Sequence, residues 1–273
     1  MKRSAFSLKS KFQLLGANVR YSLLATFAYA GKNWGNLIST ATYTLTYLAF
    51  LSFLFSNVDS VAGYSYGEML FMLLVGQISF YSQYAFSENG SELLIDLVKR
   101  GDLDLILSKP VPSLWFLFTR GIEIHTLLVD GIPALIPVII LGTRNVDYSL
   151  TLASIALGAA TMVTGLVATH CFTFIASLSV FALGEAKRIR LVAIDIQDIG
   201  SNLPFESFPK SIQKIGTTLL PILITVGLST SYYLGKTTSI IPLLIVAATA
   251  TVFLTIKQLA WQLALRNYTS ASS

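Results

Sequence analysis

The chain has 273 residues, 53% of them hydrophobic and only 12% charged, with a formal net charge of +5. Soluble domains carry about 25% charged residues, so this composition excludes an ordinary soluble domain. A single cysteine, Cys171, excludes an internal disulfide. The two histidines, His125 and His170, belong to no zinc motif.

Five stretches, 36–56, 69–86, 150–184, 215–235 and 237–256, contain no Asp, Glu, Lys or Arg. A helix needs ~20 apolar residues to cross ~30 Å of hydrocarbon. The pattern predicts an all-α polytopic membrane protein forming one transmembrane domain over 1–273. Solid apolar runs, as opposed to alternation, argue against an outer-membrane barrel.

The N-terminal segment, 1–35, carries Leu8, Phe12, Leu15, Val19, Leu23 and Phe27 at three- or four-residue spacing, with Lys9, Lys11 and Arg20 between them. That predicts an amphipathic helix lying in the membrane interface. Lys9 and Lys11 interrupt any signal-peptide core, so no cleaved signal is expected. The first span is predicted at about 36–56 and the second at about 67–87.

Residues 88–112 follow as a charged, punctuated elbow. Ser91 reads as an N-cap, and Leu93, Leu94, Leu97 and Val98 form an apolar stripe. Lys99 and Arg100 suit a last turn, and Gly101 suits a left-handed C′ position. Asp102 then reads as the cap of a second short helix from Leu103 through Asp104 to Ser108, stopped by Pro110. A plain connector is shorter and simpler. A folded elbow suggests a docking handle, against the blander reading of a helix resting on headgroups.

The third span, about 116–142, contains Pro133 and Pro137, which should kink it. Arg120 and Glu123 are spaced to pair, whereas Glu123 and His125 do not share a helix face. The fourth span is about 150–183, where Gly158 and Gly165 permit close helix approach. The fifth, about 191–207, is short and polar. Residues 213–236 read as a re-entrant hairpin, because only Lys236 separates 215–235 from the next run and one residue cannot reverse two full crossings. The last span is about 237–258.

Charge orients these elements. Six of the nineteen Lys and Arg residues lie in 1–35, four in 88–120 and three in 184–190, with Lys257 and Arg266 after the last run. Only Arg144, Lys210, Lys214 and Lys236 fall elsewhere. The positive-inside rule then predicts six spans with both termini cytoplasmic. The positive charge is a membrane signal and implies no nucleic-acid partner.

Asp130, Asp195 and Asp198 fall at membrane depth, with Gln197 beside the last two. A carboxylate there costs ~3 kcal/mol, so a translocation path or permease interface is expected for them. A blander alternative pairs Asp195 with Arg188 or Arg190. "YYLGKTT" at 232–238 fails as a phosphate loop, because Thr230 stands where the first glycine belongs. No catalytic residue is expected. An ion-coupled transporter or channel using Asp130 and Asp198 is the alternative; no internal repeat supports it.

The stretch "RGDLDLILSKPV" resembles a motif of ABC exporter permeases of the second type, Gly-x-Leu-Asp-x-x-Leu-x-x-Pro-Val, supplied here by Gly101, Leu103, Asp104, Leu107, Pro110 and Val111. "NLPFESFPKSIQKIGTTLLP", with Phe208, Pro209 and Pro221, resembles that subgroup's outer segment, and "ALRNYTSASS" resembles its tail. One departure is Phe181-Ala182, where the subgroup often has Phe-Trp. The resemblance implies a bacterial-type inner-membrane permease that works as a homo- or heterodimer. It implies a cytoplasmic ABC ATPase dimer, where ATP and Mg would bind. It also implies a coupling helix at the elbow. The expected cargo is an amphipathic drug, lipid, glycan or peptide.

Overall fold

A computed structural model describes residues 7–28, 30–145, 150–266 and 268. Lys2, Arg3 and the Ser-Ala-Ser of the tail lie outside them. Every named element among the described residues is helical. In chain order they are α1 (Leu8–Ala28), α2 (Ala30–Phe55), α3 (Tyr66–Gln83), a π turn (Tyr84–Glu88), α4 (Asn89–Arg100), α5 (Leu103–Leu107) and α6 (Ser113–Arg120). A second π turn (Thr126–Gly131) leads into α7 (Ile132–Asn145), and then come α8 (Leu152–Ser177), α9 (Val180–Leu183) and α10 (Lys187–Ser201). The chain closes with α11 (Lys210–Thr218), α12 (Thr225–Tyr233) and α13 (Ile241–Arg266).

Four segments are long and apolar enough to cross a membrane: Trp34–Phe55, Tyr66–Arg100, Leu152–Leu183 and Ile241–Arg266. They match the first, second, fourth and last predicted spans. The predicted third span is broken. Its continuous apolar part is Thr126–Gly142, which is shorter. The predicted fifth is the fifteen-residue α10.

The second span differs most from expectation. Ser91 is not an N-cap. It is fully buried inside a helix that runs unbroken from Tyr66 to Arg100. Ser65 caps this rod instead, accepting from the Glu68 amide while the Glu68 carboxylate accepts from the Ser65 amide. Packing explains why the helix does not stop at 89–91. Gly90 lies against Gly121, where an added Cβ would fall 2.3 Å from the Gly90 Cα. A local cap preference is worth ~1 kcal/mol, and this contact of two backbones overrides it.

Three larger apolar cores hold the bundle, with a smaller one at Ile95, Val180 and Ala186. Leu51, Leu70, Met72, Val138 and Met162 join α2, α3, α7 and α8. Leu94, Leu103, Leu117, Phe174 and Trp261 join α4, α5, α6, α8 and α13. Phe205, Ile224, Leu228, Tyr232 and Val246 bind α12 to α13. Gly158 and Gly165, seven apart and so on one helical face, both abut α12. Added Cβ atoms would meet Tyr233 at 2.6 Å and Thr225 at 2.3 Å. Outward-facing Phe53, Leu244 and Leu263 are exposed, as expected where the surrounding solvent is hydrocarbon.

Residues 205–237 are pinned to the loop before α3. The Glu206 carboxylate accepts from Tyr64 Oη at 2.6 Å and from Ser231 Oγ. Burial is the main reason the Tyr64 phenol titrates above its usual range, and the bond to Glu206 adds to it. Lys236 pairs with Glu68 at 2.9 Å, donates to Gly63 O and sits over the Tyr64 ring.

Candidate functional site

The α3–α4 rod links three features. Near its middle is a polar cavity of about 530 Å³. Asn36, Thr40 and Tyr43 of α2 form one wall, and Gln77, Phe80 and Tyr81 of α3 form another. Asp130 enters from the second π turn, and Asp198 and Asn202 from the end of α10. Asp130 is buried and accepts from Asn36 Nδ2 at 3.4 Å.

Of the residues expected on a translocation path, Asp130 and Asp198 meet in this cavity. Asp195 and Gln197 do not line it. Asp195 is exposed on α10, and Gln197 is buried on another face. Glu123 and His125 also line the cavity, with Oε2 and Nε2 3.5 Å apart. Sequence spacing set them on different helix faces, but the chain leaves helix between α6 and the second π turn. There the Glu123 amide donates to Ala85 O and the Ile124 amide to Ser22 Oγ, both at 2.9 Å. The Arg120 guanidinium therefore does not meet Glu123; it stacks 4.7 Å from the Tyr21 ring.

The second feature is a buried polar relay at the first π turn. A π turn inserts a residue into the helical register and tends to mark functional positions. Here it turns Ser87 and Glu88 toward neighbouring helices. Glu88, 1% exposed, accepts from Arg190 Nη1 at 2.8 Å and from Gln83 Nε2 at 3.1 Å. Arg190 also approaches Glu92 at 3.8 Å. It is thus not available to Asp195, as the blander sequence reading had it. Ser87 Oγ lies 2.5 Å from His170 Nδ1, and His170 Nε2 lies 2.6 Å from Lys257 Nζ. With Lys257 protonated, both bonds are satisfied when the imidazole proton sits on Nδ1. No sequence pattern joined these residues, because Glu88 and Arg190 are 102 positions apart.

The third feature is the elbow. Gly101 adopts φ +73°, and its amide bonds to Val98 O while the Asp102 amide bonds to Leu97 O at 2.9 Å. This is the glycine stop that the sequence implied. Asp102 occupies the N-cap position of α5 but makes no side-chain cap bond. The stripe is not open to solvent. Leu94 and Leu103 are fully buried, with Leu97 and Val98 packed beside them against α6, α8 and α13. What projects from the elbow is Leu105, 65% exposed, and Asp96, Arg100, Lys109 and Pro110 of the same segment are exposed too. Asp104 is half-buried. Lys99 ties α4 to the loop before α10 through Glu185 at 2.6 Å, and that bond holds the Glu185 carboxyl down to about 2. Phe181 packs on Trp261 and Tyr268.

The rod places these features in series. From Gln77 to Gly101 it spans roughly 36 Å at ~1.5 Å per residue, with the relay between cavity and elbow. Residues 41–272 match the family model described as ABC-2 family transporter protein. No curated protein and no solved structure matches the chain.

Proposed function

The chain belongs to the ABC-2 family of transporter proteins, and on that premise we propose that it is the membrane-spanning permease subunit of an ATP-driven exporter. The observation that carries this reading is the elbow. A rod that lines a polar cavity ends in a rigid glycine stop, and the short helix beyond it presents one bare leucine amid charged residues. The stripe fixes the elbow to its own bundle, so force on α5 passes into the rod. ATP and Mg would bind a cytoplasmic ABC ATPase dimer, with Leu105 as the apolar contact. A second permease chain would complete the membrane domain.

The test is copurification. Leu105→Asp buries a charge in the proposed contact and removes an apolar anchor. An ATPase should copurify with the unaltered protein from native membranes, and recovery with the variant should fall at least tenfold. Equal recovery would remove Leu105 from the interface. Absence of any ATPase with the unaltered protein would remove the ATP-driven reading.

The proposed topology has six crossings with both termini cytoplasmic. α6 and α7 share the third crossing, and α10 with the turn at 205–207 makes the fifth. The nine-residue helices α11 and α12 are each ~14 Å long, half of what a crossing needs. They form the re-entrant segment on the outer side. Single cysteines at Lys210 and Thr238, both exposed, should each react with an impermeant maleimide from outside in a Cys171→Ala background. Reaction at Thr238 only after permeabilisation would mean that 213–236 crosses.

A further inference from the structure

We propose that the cavity is a binding site for an organic cation, an amphipathic amine carrying N–H donors. This deepens the permease reading and rests on it. The cavity walls carry the carboxylates Asp130, Asp198 and Glu123 against one imidazole, His125, which faces Glu123. Even with His125 protonated the lining keeps an excess of negative charge. No lysine or arginine lines the cavity among the described residues.

Hydrogen bonding points the same way. Five of the lining's donors are engaged within the chain. Asn36 donates to Asp130, Asn202 to the Asp198 carbonyl, Asn89 to the Tyr84 carbonyl and Tyr81 to Thr40. Gln77 donates through Nε2 to Thr44 at 3.2 Å. Its Oε1 has no hydrogen-bond partner among the described residues, although the side chain is only 5% exposed and lines the cavity. A buried acceptor without a donor is costly, and a turn of the Gln77 amide toward the cavity would let a ligand N–H satisfy it. Aromatic faces complete the fit. Phe80 and Tyr84 lie 4.7 Å apart across the wall, with Tyr43 nearby, and such faces attract cations. A volume of about 530 Å³ suits a drug-sized molecule. A phosphate-bearing or carboxylated cargo would meet repulsion from Asp130 and Asp198.

The test compares two probes that share a fluorophore and differ in charge. Dansylcadaverine (a cation) and dansylglycine (an anion) are titrated into the purified protein in phosphatidylcholine nanodiscs. The protein should bind dansylcadaverine at least tenfold more tightly than dansylglycine. Asp130→Asn should weaken the cation about tenfold and leave the anion unchanged. Asp198→Lys, at an exposed position that tolerates substitution, should abolish the preference. Comparable binding of both probes by the unaltered protein overturns the proposal, whether or not either variant folds. So does an undiminished cation preference in Asp198→Lys. ATPase copurification, measured on the same samples, separates the two claims. An ATPase that copurifies beside equal probe binding sinks the cation site alone. Cation selectivity without any ATPase leaves the site and sinks the ATP-driven reading.

Discussion

Arg190→Met should destabilise the membrane domain by about 3–5 kcal/mol, the cost of leaving a buried partner charge uncompensated. Glu88 is 1% exposed, and its Oε2 has Arg190 Nη1 at 2.8 Å. Without the guanidinium, that carboxylate keeps only Gln83 on its other oxygen. Methionine supplies similar bulk, so the loss is electrostatic and not a cavity. Glu88→Gln should be nearly as costly, because it strands Arg190 with only the distant Glu92. The double variant Glu88→Gln/Arg190→Met should recover most of the loss, since neither charge remains. Denaturant unfolding in micelles of the four proteins, read as a double-mutant cycle, measures this. Single-variant costs below about 1 kcal/mol, or strict additivity in the double, would show that the pair is not a buried electrostatic contact.

Much of the architecture is written in the charge-free runs. Four of them became long helices because nothing in those segments resists hydrocarbon. The Gly101 stop was also legible, because only the left-handed conformation ends a helix so abruptly and glycine adopts it without strain. The proline-marked segment at 213–236 holds parts of two nine-residue helices, α11 and α12, with Pro221 between them. What pattern could not supply was the partner of each face. The stripe at Leu94, Leu97 and Val98 was readable as apolar, but an apolar face looks the same whether a second protein or the chain's own α6, α8 and α13 covers it. Ser91 followed by Glu92 carries a sound capping signal, and it lost to the contact of Gly90 with Gly121. The cavity collects residues from Asn36 to Asn202, so of its carboxylates only Asp130 and Asp198 were singled out, by their cost in a bilayer. Gln77, Glu88 and Arg190 gave no such warning. Gln77 is uncharged, and Glu88 and Arg190 sit where loops were expected.

Gly101→Val should break the connection between ATPase and cavity while leaving the protein in the membrane. Gly101 holds φ +73°, a region that costs an ordinary residue roughly 1–2 kcal/mol and a β-branched one more. Valine would open the stop, release the amide bonds from Gly101 and Asp102 to α4, and pull Leu103 and Ile106 from the core they share with Leu94 and Leu117. No crossing is touched, so insertion survives. Leu105 remains on α5, so the ATPase still docks, but α5 no longer moves the rod.

The central claim is that ATP binding to an ATPase docked at the elbow changes the cavity. The direct measurement is the labelling rate of a cysteine at Ser201, a cavity residue, in the Cys171→Ala permease with its copurified ATPase. With an intact elbow, ATP and Mg should change that rate at least tenfold. In Gly101→Val the rate should be the same with and without nucleotide, although the ATPase remains bound and active. An unchanged rate with the intact elbow, or an equal response in both proteins, would contradict the account.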